Sequence, residues 1–105
     1  MKYLDCGIYK WTNVKNGKTY IGQSTRLKGR KEDFLNFAVD YSGIKINNAR
    51  AKYNHAFYWN YEILEFCDPK ELNTKEKKYI RLYESLEYGY NMTEGGSSTY
   101  EKNLK

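Results

Sequence analysis

The chain has 105 residues, which suits a single domain with one modest hydrophobic core. Two cysteines exclude a disulfide scaffold and a zinc site built from cysteines, and no apolar run reaches the roughly 18 residues that a membrane span requires. The net charge is +5. The first residues lack the apolar core of a signal peptide, so we expect an intracellular, cytoplasmic protein with no membrane contact; its oligomeric state is left open, with a monomer favoured.

The first predicted element is a β-hairpin. Residues Gly7 to Asn13 and Lys18 to Ser24 are predicted strands, and the dipeptide Asn16-Gly17 between them is a strong hairpin signal. The turn has either two residues, Asn16 and Gly17, or four, residues 14–17.

The strand alternation assigns the hairpin side chains to two faces. In both registers Tyr9 and Tyr20 share one face, while Ile8 and Ile21 point to the other face and toward a core. In the four-residue register Tyr9 lies opposite Gly22, and Tyr20 is a diagonal neighbour that long side chains can reach.

The rest of the chain predicts helices around one more strand. Apolar spacing predicts a helix from Leu27 to Tyr41 and, after the breaker Ser42-Gly43, a second from Ile44 to Tyr53. Residues Tyr58 to Cys67 are rich in aromatic and β-branched side chains and predict a third strand.

A last helix begins with Asp68 as its N-cap and Pro69 as its first residue, with Glu71 completing a capping box. It runs to about Ser85, with a restart near Asn73-Thr74 left open. The predicted fold class is α+β, a small three-stranded antiparallel sheet flanked by helices, and residues 99–105 are expected to be a flexible C-terminal tail.

Two charged residues occupy positions where apolar side chains are expected. Glu76 lies four residues after Leu72 and four before Ile80 on the apolar stripe of the last helix, and Arg30 lies on the stripe of the first. An inward carboxylate is costly unless it pairs or binds metal, and an inward guanidinium needs carboxylate or phosphate partners. An Arg30–Glu76 ion pair and a cleft that binds metal and phosphate both remain open.

Basic residues are concentrated in the first part of the chain. Residues 1–61 carry a net charge of +7, whereas residues 62–105 carry −2. Between Cys6 and Lys31 there are seven basic residues and no acidic one, interleaved with aromatic side chains. Such a surface suits a polyanion such as nucleic acid, although a generic solvated surface explains the charge equally well.

The triplets Gly7-Ile8-Tyr9 and Tyr20-Ile21-Gly22, ten residues apart, resemble the defining motifs of the GIY-YIG nuclease superfamily. Arg30 and Glu76 match the family's helix arginine and its metal-binding glutamate, and Gly89-Tyr90-Asn91 resembles its closing asparagine motif. The resemblance covers roughly residues 6 to 98. It is greatest to the catalytic domains of phage and intron-encoded homing endonucleases, so residues 1–98 are expected to form the nuclease domain.

The resemblance implies an endonuclease that hydrolyses DNA phosphodiester bonds with a divalent metal ion, Mg²⁺ or Mn²⁺. It implies that Glu76 binds the metal and Arg30 clamps the phosphate. Tyr9 would position or deprotonate the attacking water, which requires a lowered pKa, and Tyr20 would support Tyr9 or bind phosphate. Asn91 would orient Glu76 or the backbone.

Two further groups of residues complete the expected site. Gly7 and Gly22 would keep its floor open. With no room for a separate DNA-binding module, sequence specificity is expected to be weak and the DNA contacts to be mostly to phosphate. These contacts are expected from basic residues of the hairpin and first helix, namely Lys10, Lys15, Lys18, Arg26, Lys28 and Lys31.

The chain departs from the family pattern after the arginine and again before the second helix, where homing-type members often carry a histidine and this chain has Tyr41-Ser42-Gly43. Many members carry histidine, lysine or tyrosine one turn after the arginine, whereas this chain has Phe34, for which we expect a packing role. A catalytically impaired nucleic-acid-binding module is therefore one alternative, and a structural domain with an Arg30–Glu76 ion pair is another. The single histidine, His55, is expected to be exposed and structural.

Overall fold

The computed structural model describes residues 5–41 and 43–96, so the predicted tail, residues 99–105, lies outside the described residues. A three-stranded antiparallel sheet carries helices, which confirms the predicted α+β class. In chain order the elements are β1 (Gly7–Asn13), β2 (Thr19–Ser24), α1 (Leu27–Leu35), α2 (Ile44–Lys52), β3 (Trp59–Phe66) and α3 (Leu72–Tyr83). Among the described residues, no helix is both long and apolar enough to cross a membrane.

The central strand of the sheet is β1, with β2 and β3 at its edges. The β1–β2 register pairs Tyr9 with Gly22, which selects the four-residue turn. The Asn13 amide donates to the Lys18 carbonyl at 2.9 Å, and Gly17 has a φ of 77°, which favours glycine.

Each face of the sheet is covered by helices. Strand alternation sends neighbouring side chains to opposite faces, so each face contributes to its own buried cluster. One cluster joins the sheet to α1 and α2 and contains Tyr9, Trp11, Tyr20, Leu27, Phe34, Tyr41, Ile46, Ala49, Trp59 and Tyr90. The other joins the sheet to α3 and contains Cys6, Ile8, Ile21, Cys67, Leu72 and Ile80.

The first helix is shorter than predicted, because it ends at Leu35 and not at Tyr41. The guanidinium of Arg50, on α2, donates to the carbonyls of Asp33, Phe34 and Asn36 at 2.7 to 3.2 Å. The carbonyls of Asp33 and Asn36 also accept from the amides of Asn36 and Val39 at 3.3 and 3.1 Å, so Arg50 adds a further donor at a helix end, where carbonyls lack helical partners. A side chain distant in sequence therefore completes the end of α1, which periodicity within 27–41 does not reveal.

The start of the last helix also differs from the prediction. The Asp68 carboxylate accepts from the Lys70 amide at 2.9 Å, but residues Pro69–Glu71 form a 3₁₀ turn. The α-helix proper starts at Leu72, close to the restart left open at Asn73-Thr74, and ends at Tyr83. Asp68 and Pro69 therefore begin a single 3₁₀ turn that precedes α3, and they do not begin α3 itself.

Candidate functional site

Glu76 lies on the sheet-facing side of α3 and is partly buried. Its Oε1 accepts from Nε2 of Gln23 at 3.1 Å and from the backbone amide of Gly96 at 2.8 Å. No hydrogen bond reaches Oε2 from within residues 5–41 and 43–96. The carboxylate thus has one oxygen held by the protein and the other available.

Glu76 lines an open cleft of about 260 Å³ at the β2 edge of the sheet, called the Glu76 cleft below. Its other lining residues include Tyr20, Ile21, Ile80 and Asn91. The Asn91 side chain accepts from the Ile21 amide at 2.8 Å and donates to the Ile21 carbonyl at 2.9 Å. The Asn91 amide therefore contacts the backbone of β2, and its expected role toward Glu76 or the backbone stays a prediction.

A buried group of tyrosines surrounds Arg30 on the α1 side of the sheet. The hydroxyls of Tyr9 and Tyr41 are 2.6 Å apart, and the Arg30 guanidinium carbon lies 4.4 Å from the centre of the Tyr41 ring. The Tyr20 ring meets Tyr41 edge-on at 5.9 Å. A Cβ on Gly22 would lie 2.2 Å from the Tyr9 oxygen, so glycine is required for this arrangement, and Tyr9 itself fills the expected open space.

The electrostatics of this group differ from the expectation for Tyr9. Burial, with a contribution from Tyr41, raises the pKa of Tyr9 well above its usual value, although Arg30 acts to lower it. Burial also raises the pKa of Tyr41 to about 12. Because Tyr9 is only 1% exposed, removal from water outweighs the arginine, so the protein alone does not lower its pKa, and the role expected for Tyr9 toward the attacking water stays a prediction.

Arg30 and Glu76 do not form the ion pair considered above. They lie on helices that cover opposite faces of the sheet, and no ion pair in the described part of the chain joins them. The Nε of Arg30 is buried and has no hydrogen-bond partner there. Burial acts to lower the pKa of Arg30, but the phenols of Tyr9 and Tyr41 raise it in net, so the guanidinium stays charged.

The expected DNA-contacting side chains are exposed, apart from Lys10. Lys10 is partly buried, with Nζ 3.2 Å from a Glu62 oxygen and 4.3 Å from the centre of the Tyr83 ring. Lys18 lines a second cleft of about 430 Å³ together with Lys45 and Lys52 of α2. This lysine cleft adjoins the Glu76 cleft through Tyr90, which lines both.

Phe34 is fully buried, which confirms its expected packing role. Its ring stacks on Trp11 at 4.0 Å and meets Tyr41 and Trp59 edge-on at 5.3 and 5.0 Å. His55 is exposed and accepts from the Phe57 amide at 3.1 Å, which fits the expected structural role.

Sequence reasoning missed three residues around the site: Gln23, Tyr41 and Arg50. Tyr41 was expected only as the end of a helical stripe, and Gln23 and Arg50 had no assigned role. Arg50 is the one with a detectable signal, since a basic residue beside the buried stripe of α2 demands acceptors. The partners of Gln23 come from α3, which hairpin periodicity cannot reveal.

A family model described as the GIY-YIG catalytic domain matches residues 5–91. A mutant of the catalytic domain of intron endonuclease I-TevI has a TM-score of 0.72 and 25% identity, covering 86% of this chain and 95% of that one. A second structure, of the catalytic domain of homing endonuclease I-TevI, has a TM-score of 0.69 and 28% identity, covering 84% and 98%. No curated protein matches the chain.

Proposed function

Because the chain belongs to the GIY-YIG family of nuclease catalytic domains, we propose that it is a metal-dependent endonuclease that hydrolyses DNA phosphodiester bonds. The observation that carries the proposal is the Glu76 carboxylate, which faces a cleft with one oxygen fixed and the other unengaged by any described residue. No lysine or arginine of the described ranges forms an ion pair with Glu76, and a partly buried carboxylate without such a partner is costly to maintain for packing alone.

The residues present fit a hard divalent cation. Glu76 is the one carboxylate among the described residues that line the cleft, so it would be the carboxylate ligand of the metal. Mg²⁺ keeps several waters and is commonly held by one or two carboxylates together with substrate phosphates. When bound, it supplies Lewis-acid stabilisation of the phosphate charge.

Arg30 would bind the non-bridging oxygens of the phosphate. Its buried Nε lacks an acceptor among the described residues, and a guanidinium can give a phosphate two parallel hydrogen bonds. Tyr20 lines the Glu76 cleft and is the phenol we assign to the substrate. Tyr9 is buried next to Tyr41 and would hold Tyr41 and Arg30 in place. It would act as a neutral phenol because its pKa is raised.

The DNA backbone would follow exposed lysines and arginines beside the cleft. We propose contacts from Lys15, Arg26, Lys28 and Lys31 and from the lysine cleft, which adds Lys45 and Lys52 to Lys18. Lys10 is set aside because Glu62 already neutralises its charge. Contacts to phosphate carry no base information, so weak intrinsic sequence specificity follows.

Plasmid nicking tests the proposal, with Mg²⁺ against EDTA, on wild type and Glu76→Gln. The amide keeps an oxygen for Gln23 and Gly96 but removes the charge, so we expect a loss of roughly 100-fold or more in nicking rate, corresponding to about 3 kcal/mol of transition-state stabilisation. DNA affinity and the melting temperature should be retained. Glu84→Gln, which removes an exposed carboxylate just beyond α3, is the matched control and should nick like wild type.

The buried Phe34 favours one alternative, since it supplies no proton or phosphate contact where many relatives do. Wild-type protein that binds DNA in a salt-dependent way but never nicks it would establish a binding module. Undiminished nicking by Glu76→Gln would eliminate Glu76 as the metal ligand.

A further inference from the structure

The side-chain amide of Gln23 connects β2 to α3 at the Glu76 cleft. Its Nε2 donates to Oε1 of Glu76 at 3.1 Å and to Oδ1 of Asn73 at 2.8 Å. Asn73 and Glu76 are three residues apart and therefore lie on the same side of the helix. A primary amide has two N–H groups, and in Gln23 each has a separate acceptor. The direction in which the amide points is thereby fixed.

The second donor to Glu76 comes from a loop. The Gly96 amide reaches the same oxygen, Oε1, at 2.8 Å. Gly95 and Gly96 have φ values of 85° and 76°, a backbone conformation that favours glycine. Two donors from separate parts of the fold therefore converge on one carboxylate oxygen, whereas no described residue donates to Oε2 of Glu76, which lines the cleft.

We propose that Gln23 is a positioning residue for the metal-binding carboxylate, holding Oε1 of Glu76 so that Oε2 is presented to a divalent cation. This inference rests on the proposed function. Carboxylates that bind metals are themselves hydrogen-bonded, and loss of such outer partners typically weakens metal affinity 10- to 100-fold. With Gln23 absent, the Gly96 amide is the one donor among the described residues that restrains the carboxylate, and rotation of the carboxylate would let Oε2 turn away from a bound cation.

Gln23→Met tests the proposal because methionine keeps the length of the side chain and removes both donors. Gln23→Asn keeps the amide but shortens its reach by one methylene. We would titrate Mn²⁺ into each protein without DNA and follow the free-ion signal by electron paramagnetic resonance. Mg²⁺-dependent nicking would be measured in parallel. For both variants we expect a dissociation constant for Mn²⁺ about tenfold or more above wild type, and half-maximal nicking at a correspondingly higher Mg²⁺ concentration.

The nicking rate at saturating Mg²⁺ should recover to within a few-fold of wild type, because Gln23 acts through Glu76 and not on the phosphate. Tyr79→Phe is the matched control, since the Tyr79 hydroxyl donates to the Glu65 carboxylate at 2.8 Å and not to Glu76. It should bind Mn²⁺ like wild type.

Three results would overturn the inference. Wild-type Mn²⁺ affinity in Gln23→Met would show that Gln23 only ties β2 to α3. A change equal to that of Tyr79→Phe would assign the effect to general loosening of α3. Wild-type protein that neither binds Mn²⁺ nor nicks DNA would remove the proposed metal site itself, and the role of Gln23 with it. The first two results leave the proposed function intact.

Discussion

Arg50→Met is predicted to destabilise the end of α1, the helix that carries Arg30. The Arg50 side chain is buried, and its guanidinium makes six hydrogen bonds. Four backbone carbonyls accept them, those of Asp33, Phe34, Asn36 and Val39, together with the Asn47 side chain. Methionine preserves most of the apolar stem and supplies no donor.

The expected loss in the free energy of unfolding depends on how many of these carbonyls are left without a donor. The two hydrogen bonds from Arg50 to the Phe34 carbonyl are buried, and leaving a buried carbonyl unpaired costs about 1–3 kcal/mol. The other three carbonyls are partly buried and can recruit water, and those of Asp33 and Asn36 keep a backbone amide donor, so each loses about 0.5 kcal/mol. We therefore expect a loss of roughly 3–4 kcal/mol. For a domain of this size that lowers the melting temperature by about 10–25 °C.

Thermal and urea unfolding followed by circular dichroism measure this loss. Arg50→Lys keeps the charge but not the planar fork, so its melting temperature should lie between those of wild type and Arg50→Met. Arg81→Met, an exposed arginine on α3, should change stability by less than about 0.5 kcal/mol. If Arg50→Met melts within about 3 °C of wild type, the carbonyls at the end of α1 do not depend on Arg50, and the reasoning fails.

Three further predictions concern packing, pH and salt. Phe34→Ala removes a fully buried ring and should cost about 3–5 kcal/mol in urea unfolding, whereas an unchanged midpoint would contradict its place in the core. The raised pKa values of Tyr9 and Tyr41 keep both phenols protonated when folded, so each should remove about 1.4 kcal/mol of stability per pH unit between pH ~10 and pH ~12. Tyr41→Phe should lower the slope in urea unfolding over this range, although Tyr61, whose pKa burial also raises to about 12, keeps its own contribution, and an unaltered slope would contradict the assignment to Tyr41. Lys18→Gln should reduce the log–log salt slope of DNA affinity by about 0.9. Lys10→Gln should change that slope little, because Lys10 is already paired with Glu62, and equal effects of the two variants would contradict the assignment.

Much of the fold follows from patterns that are local in the sequence. The hairpin is specified by alternation on either side of Asn16-Gly17, and the structure confirms both strands and the pairing of Tyr9 with Gly22. Glu76 was singled out because it interrupts an apolar stripe, and the structure places it on that face of α3 beside an open cleft. These inferences succeed because backbone period and burial are properties of a short stretch of chain.

The remaining features depend on elements that meet only in three dimensions. The end of α1 is set by Arg50, 15 residues beyond Leu35 in the chain, so apolar spacing alone predicts a helix that is too long. Burial raises the pKa of Tyr9, and the buried cluster around it contains side chains from elements far along the chain, such as Phe34 and Tyr41.

The orientation of the Glu76 carboxylate also depends on elements that meet only in three dimensions. The sequence by itself determined that Glu76 faces inward, because that depends on helical period alone. Which oxygen is held and which is left to the cleft was decided by Gln23 on β2 and by Gly96 on a loop beyond α3. These donors are 53 and 20 residues away along the chain. Hydrogen-bond geometry between such distant groups is fixed only when the sheet, the helix and the loop have packed together.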